Sequence, residues 1–360
     1  MYKTTLFMFF RCPLLVMPCA GDKFVHFLIK CIPCCVICAL PSSRSSFLEC
    51  MRAILRLCSN SERCRALKNI AIARAIRKNN IEPSTLGVSN RGRRRAQTQT
   101  IKMATQSSHE TSKYSPGDTI KNCTVVVTGS NRGIGLELAS ELLKEGNVVV
   151  CTARKHSKAL QDLREKFGEE KVKITTLDVG DEDSIEKWAD SLKEALHGTT
   201  IDVLINNAGI IGTEPGYKKW TFDSIDQREM MEVFKINACG PLLVSQALVK
   251  RRLMSKPALI ANVTSKVGSI DDNGSGKGYA YRASKTALNI INKSMSIDLK
   301  DEYDISSLLL HPGWVQTDMT ENRGLIETPE CAKGLIKACE GQYGPLNGFW
   351  YDYKGDAILW

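Results

Sequence analysis

Residues 128–135 read TGSNRGIG and separate two segments with different apolar patterns. The preceding run, 123–127, is short, apolar and β-branched, which predicts a buried strand. The following residues, 134–143, place apolar side chains at helical spacing, and Gly146 is a typical helix stop. Glycines in a loop between a strand and a helix let a pyrophosphate approach the free N–H groups of the helix N-terminus. The segment therefore predicts a dinucleotide-binding β-α-β unit.

The same alternation of strand and helix patterns continues along the chain. Strand patterns lie at 123–129, 148–153, 173–179, 201–209, 258–265, 305–313 and 348–355. Helical patterns lie at 133–146, 156–168, 182–196, 225–255, 279–300 and 328–340. Helices between successive strands imply right-handed crossovers, so we expect an α/β fold with a doubly wound, Rossmann-type parallel sheet. A single domain over 115–360 would contain this sheet, and ligands would bind beyond the carboxyl ends of its strands.

Charge and cysteines are divided unevenly along the chain. Residues 1–102 contain 18 lysines and arginines but 4 acidic residues, whereas residues 103–360 contain 31 and 35. The domain therefore has no excess of positive charge to attract nucleic acid. Nine of the 14 cysteines lie between positions 12 and 64. The isolated cysteines of the domain are typical of a reducing compartment, so we expect a cytoplasmic protein.

Residues 1–114 form a leader whose purpose the composition leaves open. Its apolar run, 24–40, is interrupted by Lys30 and Pro33, so we expect no stable membrane span. The cysteines clustered in this run have no nearby histidine pair, and we predict no metal site. The Arg-rich remainder is typical of an organellar transit peptide, of a disordered tail, or of an extension ahead of a natural start at Met103. A transit peptide would make the protein organellar.

Candidate cofactor contacts lie in the predicted turn and at the ends of the next two strands. Within the turn they are Gly129, Asn131, Arg132, Gly133, Ile134 and Gly135. Arg154 follows the second strand, where a NAD-binding domain normally has an acidic residue for the ribose 2′-hydroxyl. Together with Arg132 it would attract a 2′-phosphate, which favours NADP(H). Asp178, at the end of the third strand, is suited to contact the adenine amino group.

Tyr281 and Lys285 are four residues apart at the start of a predicted helix and therefore share one face. A free tyrosine has a pKa near 10 and exchanges protons poorly at neutral pH. A lysine ammonium held close, beside a cationic nicotinamide, would lower that pKa and make the phenol an acid–base group. The spacing also occurs where a core tyrosine lies above a surface lysine, so the pair alone does not identify a site.

Several short motifs occur in one order: TGSNRGIG, NNAG at 206–209, Ser265, YRASK at 281–285 and PGWVQT at 312–317. With them the chain resembles the short-chain dehydrogenase/reductase family over about residues 120–360. Further segments resemble its carbonyl-reductase-like branch, of sniffer and C-factor type. These segments are 278–289, 310–319 and the aromatic ending at Trp360. The resemblance implies hydride transfer from a nicotinamide, with the protein supplying geometry and charge.

The resemblance also implies roles for individual residues. Tyr281 would protonate the carbonyl oxygen of the substrate. Lys285 would lower the pKa of Tyr281 and bind the nicotinamide ribose, and Ser265 would polarise the carbonyl. Asn237 would hold a water against Lys285 and extend a proton relay. Further cofactor contacts would come from Asn207, Ala208, Gly209, Val315 and Thr317, in addition to Tyr281 and Lys285.

The chain departs from the family pattern between the serine and the tyrosine. Ser265 lies 16 residues before Tyr281, farther than is usual, and the extra length is the polar segment 269–278, which predicts a flexible loop. Ser269 lies 12 residues before Tyr281 and competes for the serine role. We prefer Ser265 because it directly follows the fifth predicted strand, where its side chain is aimed at the cleft.

The substrate side is less defined by the sequence. Residues 319–330 occupy the position of the family's mobile substrate loop. Three aromatic residues, Tyr217, Trp220 and Trp314, are candidates to line an apolar pocket, and core packing explains them equally well.

The sequence therefore predicts NADP(H)-dependent reduction of a small-molecule carbonyl, an aldehyde or a ketone, to an alcohol. A dinucleotide-binding regulator or scaffold with little catalysis is the alternative. Whether the protein is a monomer or a homo-oligomer is left open, as is a nucleic-acid or membrane-surface role for the basic leader.

Overall fold

The computed structural model describes residues 24–30, 35–41, 114–214 and 216–360. The chain divides into two compact units, Met1–Ser107 and Ser108–Trp360. In the first unit, β1 (Phe24–Lys30) pairs antiparallel with β2 (Cys35–Pro41), in the stretch that the sequence analysis considered as a membrane span. Most of the rest of the leader, including the possible start at Met103, lies outside the described residues, but Tyr114 is described and is buried in the core of the second unit. Within the described residues, no helix is both long and apolar enough to cross a membrane.

Seven parallel strands form the sheet of the second unit. They are β3 (Thr124–Thr128), β4 (Val148–Ala153), β5 (Val172–Thr176), β6 (Ile201–Asn206), β7 (Met254–Val263), β8 (Ile305–His311) and β9 (Trp350–Asp352). Their order across the sheet is β5-β4-β3-β6-β7-β8-β9, and every pair is parallel. Starting from β3, β4 and β5 are added on one side of the sheet, and β6 to β9 are added on the other side. A doubly wound sheet opens its ligand cleft at such a change of side, here between β3 and β6. The predicted fold class is confirmed.

Helices cover both faces of this sheet. They are α1 (Gly133–Lys144), α2 (Lys158–Phe167), α3 (Glu182–Ala195), α4 (Gln227–Phe234), α5 (Gly240–Lys250), α6 (Tyr279–Tyr303) and α7 (Thr328–Cys339). Alternate residues of β3 point to opposite faces, as the pleat requires. Val125 and Val127 join the core cluster under α1 and α7, whereas Val126 joins the cluster under α3 and α5.

The long helical region predicted over 225–255 is wrong in its interior and at its end. A π-helical turn, Lys235–Cys239, separates α4 from α5. The last residues belong to the sheet instead, because Ile201 donates its backbone N–H to the Leu253 carbonyl oxygen at 2.7 Å. A π turn inside a helix often marks a functional site, and this one contains the candidate residue Asn237.

Candidate active site

One cleft of about 1010 Å³ lies at the carboxyl ends of the central strands. Its lining includes most of the predicted site residues: Gly129, Asn131, Arg132, Gly133, Ile134, Gly135, Arg154, Asp178, Asn207, Ala208, Gly209, Tyr281, Lys285 and Thr317. Ser265 and Asn237 are not among the lining residues, and neither is Val315. Val315 is buried behind the cleft, and its carbonyl oxygen accepts a hydrogen bond from Thr320 Oγ1 at 2.6 Å.

The glycine loop contains two positions that exclude any side chain. A Cβ atom at Gly135 would lie 2.3 Å from the Gly129 carbonyl oxygen and 2.5 Å from Asn207 Nδ2. Gly129 has a φ of +69°, and a Cβ there would lie 3.0 Å from the Ala208 Cα. The helix that begins at Gly133 has no side-chain cap hydrogen bond, which leaves its first N–H groups for an anion.

Thr128, which the sequence analysis overlooked, ties the glycine loop to the end of β6. Its Oγ1 accepts hydrogen bonds from the backbone N–H groups of Asn207 and Ala208, each at 3.0 Å. In return, Asn207 Nδ2 donates to the carbonyl oxygens of Thr128 (2.9 Å) and Gly129 (3.2 Å). A hydroxyl residue as the last residue of the strand, directly before the first glycine, is the signal that could have revealed this tie.

The two arginines that the sequence assigns to a 2′-phosphate have different surroundings. Arg154 is exposed at the end of β4, and no residue in the described part of the chain forms an ion pair with it. Arg132 Nη1 instead bonds Asp318 Oδ2 at 2.5 Å, a pair that the sequence did not predict and that leaves 65% of each side chain exposed. Such an exposed pair is weak and leaves the guanidinium accessible to a second anion. Asp178 Oδ1 accepts the Gly180 N–H at 2.9 Å.

The candidate catalytic side chains come from the ends of β7 and the start of α6. Ser265 begins a short 3-10 turn after β7, and its side chain is hydrogen-bonded to that of the half-buried Tyr281. Lys285 is one turn farther along α6 and almost fully buried. Its Nζ donates to the Val263 carbonyl oxygen at 2.9 Å and lies 5.7 Å from the centre of the Tyr281 ring.

Burial has the largest effect on both ionisable groups of this pair. It raises the pKa of Tyr281 to about 12, and the hydrogen bond from Ser265 opposes that increase. Burial lowers the pKa of Lys285 to about 8. The Lys285 ammonium is directed to the Val263 carbonyl, and the lowering of the tyrosine pKa that the sequence predicts for this lysine beside a bound nicotinamide stays a prediction. At neutral pH the site therefore has a protonated phenol beside a mostly protonated lysine.

Asn237 is fully buried in the π turn, between the segment that follows β6 and the start of α6. Its Nδ2 donates to the Ile210 carbonyl oxygen (2.7 Å) and to Ser284 Oγ (3.0 Å), and its Oδ1 accepts from the Ile210 N–H (2.9 Å). A Cβ at Gly209 would lie 3.0 Å from Asn237 Oδ1 and 3.6 Å from Lys285 Nζ. The glycine thus leaves a small space between an amide oxygen and an ammonium group.

The two candidate serines have different partners. Ser265 bonds to Tyr281, whereas Ser269 Oγ accepts the backbone N–H of Asp272 at 3.2 Å, within its own loop. Only the first is thus in contact with the tyrosine. This placement supports the preference for Ser265 that came from its position after the strand.

The part of the chain that contains this arrangement matches a known protein family. Residues 123–327 match the model of the short chain dehydrogenase family. The chain belongs to the short-chain dehydrogenase/reductase family. It is an oxidoreductase of that family, and its similarity to solved carbonyl reductases places it in the carbonyl-reductase-like branch.

Three proteins show what this short-chain dehydrogenase/reductase is similar to. The NADPH-bound carbonyl reductase from chicken fatty liver is 32% identical, with a TM-score of 0.59 over 67% of this chain and 100% of that one. The carbonyl reductase Sniffer of D. melanogaster is 28% identical, with a TM-score of 0.59 and the same coverage. The C-signal protein of Myxococcus xanthus is 39% identical over 161 residues, which are 44% of this chain and 93% of that protein.

Two of the three aromatic residues predicted for the substrate side lie near Tyr281, although none of the three lines the cleft. The Trp220 ring lies 6.3 Å from that of Tyr281, and Tyr217 meets Trp220 edge-on at 5.1 Å. Trp314 is half exposed and contacts neither ring. The segment predicted as a substrate loop, 319–330, begins in a short 3-10 turn, Asp318–Thr320, and ends in α7, which starts at Thr328 as the helical pattern predicted. In the described part of the chain, no group of three His, Cys, Asp or Glu side chains could hold a metal ion.

Proposed function

We propose that this protein reduces the carbonyl group of an aldehyde or ketone to an alcohol, with NADPH as the cofactor. One observation carries the proposal: Tyr281 and Lys285 line the cleft that begins at the glycine loop, and the Ser265 side chain is hydrogen-bonded to Tyr281 beside it. A protein that only bound a dinucleotide would need the glycine loop but not this second group of residues.

The residues present fit a dinucleotide with a 2′-phosphate. The absence of side chains at Gly129 and Gly135 leaves the backbone as the wall against a pyrophosphate, and the uncapped N-terminus of α1 faces it. Arg154 and Arg132 would hold the 2′-phosphate by charge-assisted hydrogen bonds, and Asp178 would contact the adenine amino group. The NADPH-bound carbonyl reductase from chicken, similar over its whole length, supports this assignment.

When bound, NADPH supplies the hydride that adds to the carbonyl carbon of the substrate. The Ser265 hydroxyl would donate a hydrogen bond to the carbonyl oxygen and stabilise the negative charge that develops there. The Tyr281 phenol, kept protonated by its raised pKa, would transfer its proton to that oxygen. Lys285 would return a proton towards the phenolate and bind the nicotinamide ribose. The space at Gly209, between Lys285 and Asn237, would hold the water of the proton relay.

The test is NADPH consumption by the purified protein over a panel of aldehydes, ketones and quinones. We expect oxidation of NADPH that depends on the carbonyl compound and is lost in the Tyr281→Phe variant. Each product should be the corresponding alcohol, identified by chromatography. Tight NADPH binding without turnover of any compound would instead support the alternative, a regulator or scaffold.

The boundary of the enzyme is a second part of the proposal. We infer that residues 115–360 form the catalytic domain and that residues 1–114 are a leader. The charge surplus of the leader supports this division, as does the position of every described cleft residue after residue 128. A salt-dependent interaction of the isolated leader with nucleic acid or with anionic vesicles would give it a binding role of its own.

A further inference from the structure

A polar loop, 269–278, is inserted between Ser265 and Tyr281, and in the structure one side chain joins its two ends at the neck of the loop, beside an ion pair of Lys266 Nζ with Asp272 Oδ1 at 3.2 Å. Arg282 Nη1 donates to the Val267 carbonyl oxygen at 3.0 Å, just before the loop begins. Arg282 Nη2 donates to Ser275 Oγ at 2.8 Å, and Nε donates to the carbonyl oxygens of Gly276 (3.2 Å) and Lys277 (3.1 Å). One guanidinium therefore bonds to both ends of the inserted loop.

Only an arginine can make this set of bonds. The guanidinium is planar and has five N–H donors in a fixed fork, whereas a lysine ammonium is a single point with three donors. Val267 lies two residues after Ser265, and Ser275–Lys277 lie shortly before Tyr281. Bringing the two ends of this segment together costs conformational entropy, and the bonds of the guanidinium offset that cost.

The start of the segment is also pressed against the catalytic helix. Gly268 allows this, because a Cβ there would lie 2.8 Å from the Cβ of Lys285. Thr286 Oγ1 donates to the Gly268 carbonyl oxygen at 2.8 Å. The tip of the loop is bonded elsewhere, since the Asp271 N–H donates to the Trp360 backbone oxygen at 3.2 Å. Motion of the tip is thus separated from the turn that begins at Ser265 by the bonds at the neck.

We propose that Arg282 is a positioning residue, which closes the neck of the inserted loop and so holds the Ser265 hydroxyl against the Tyr281 phenol. Arg282 is not in the cleft lining and does not act on the substrate itself. The proposal rests on the proposed function, because it presumes that Ser265 and Tyr281 act together on a carbonyl. It adds a requirement that the family motif does not state, namely an arginine directly after the tyrosine.

The experiment compares wild type with Arg282→Met, Arg282→Lys and the control Lys300→Met, a surface change in the last turn of the same helix. For each protein we would measure kcat, KM for the carbonyl compound, Kd for NADPH, and hydrogen exchange. For Arg282→Met we expect kcat to fall roughly ten- to hundredfold, because a small displacement of a catalytic group costs that much. The Kd for NADPH should stay within about twofold, since the glycine loop is remote from the change.

Hydrogen exchange supplies the readout that does not depend on turnover. Peptides over 265–278 should exchange faster in Arg282→Met, while peptides over β3 and α1 should be unchanged. Arg282→Lys, which keeps the charge but bonds one end of the loop at a time, should give intermediate kcat and exchange. Lys300→Met should match wild type in every measurement.

Three results would overturn the proposal: unchanged exchange over 265–278, faster exchange with unchanged kcat, or faster exchange throughout the domain. The last would show that Arg282 merely supports the fold. A wild-type protein that reduces no carbonyl would contradict the proposed function instead. The exchange of the inserted loop would then still decide whether Arg282 closes its neck.

Discussion

The two halves of the cleft are held in shape by different means. On the glycine-loop side, backbone atoms approach so closely that Gly129 and Gly135 cannot carry a side chain, and Thr128 joins two adjacent strand ends. On the side of Tyr281, the geometry depends on side chains that reach across a loop, above all Arg282. The first half is built from close backbone contacts and from short side chains such as Thr128, and the second depends in addition on the long side chain of Arg282.

This difference has a consequence for how each half responds to change. Close-packed backbone tolerates almost no added atom, so a single methyl group should damage cofactor binding. Side-chain bonds can be removed one at a time, so the catalytic half should lose turnover while its cofactor remains bound. Variants that separate NADPH affinity from turnover therefore test whether the two halves are independent.

The largest effect should come from removing the phenol in the catalytic half. Tyr281→Phe keeps the ring and its contact with Trp220 but removes the proton donor. We expect kcat to fall roughly 10²- to 10⁴-fold, the usual contribution of a general acid, with little change in NADPH affinity. Steady-state kinetics and an NADPH titration measure the two quantities. More than half the wild-type turnover, under conditions where chemistry is rate-limiting, would remove Tyr281 from the mechanism.

The next effect should distinguish the two serines of the same half. Ser265→Ala removes the hydroxyl that bonds Tyr281 and should lower kcat roughly 10²- to 10³-fold, as for other oxyanion donors. Ser269→Ala is the matched control, because that hydroxyl is bonded to the backbone of Asp272. Kinetics of both variants with one carbonyl compound decide the matter. The reverse result would transfer the serine role to Ser269.

The two halves also differ in how far the sequence could predict them. The glycine loop and the NNAG segment were recognisable in the sequence because the local backbone geometry restricts which residue each position can hold. The restricted positions lie close together and form a short motif. The strands of the sheet could also be predicted, since buried strands are apolar runs bounded by glycines and by helical patterns. The start of α1 at Gly133 therefore fell where it was expected, whereas β6 ends at Asn206, before the predicted end of the strand at 209.

The contacts that were missed join residues far apart in sequence or depend on geometry that no pattern encodes. The ion pair of Arg132 with Asp318 spans 186 residues, and the role of Arg282 depends on how an irregular loop folds back. The π turn at Lys235–Cys239 has the same apolar spacing as the helices around it, so periodicity alone predicted one continuous helix. Val315 follows the expected motif but is buried, because the segment up to Ile326 pairs back onto it.

In the glycine-loop half, Gly135→Ala should weaken NADPH binding, whereas the changes at Tyr281 and Ser265 should lower turnover and leave NADPH binding intact. The added Cβ would lie 2.3 Å from a carbonyl oxygen, so the loop has to shift, at a cost of roughly 1–3 kcal/mol. NADPH affinity should therefore fall by roughly tenfold or more. Gly274→Ala is the control, because a Cβ there meets no atom within 4 Å. Thermal unfolding and NADPH titration test both variants, and equal behaviour of the two would mean that the loop is not closely packed.

A smaller and more selective effect is expected at the edge of the same half. Arg154→Asp puts a carboxylate where the 2′-phosphate should lie, so it should weaken NADPH by roughly 10- to 100-fold and NADH much less. Titrations of both cofactors against wild type and variant provide the measurement. Equal losses would show that Arg154 acts on both cofactors alike, and a wild-type preference for NADH would contradict the assignment of NADP(H).

The smallest effect should follow removal of the leader, because both halves of the cleft lie in the second unit. All the cleft residues follow position 128, and the chicken carbonyl reductase matches 67% of this chain with 100% of its own length, so the matched part corresponds to an entire enzyme. A chain that starts at Met103 should thus keep the unfolding temperature, NADPH affinity and turnover of the full chain, the last two within about twofold. Expressing both forms side by side and measuring these three properties is the test. If the shorter chain aggregates or loses cofactor affinity, residues before 115 are needed by the domain, and the division of the chain at that point is wrong.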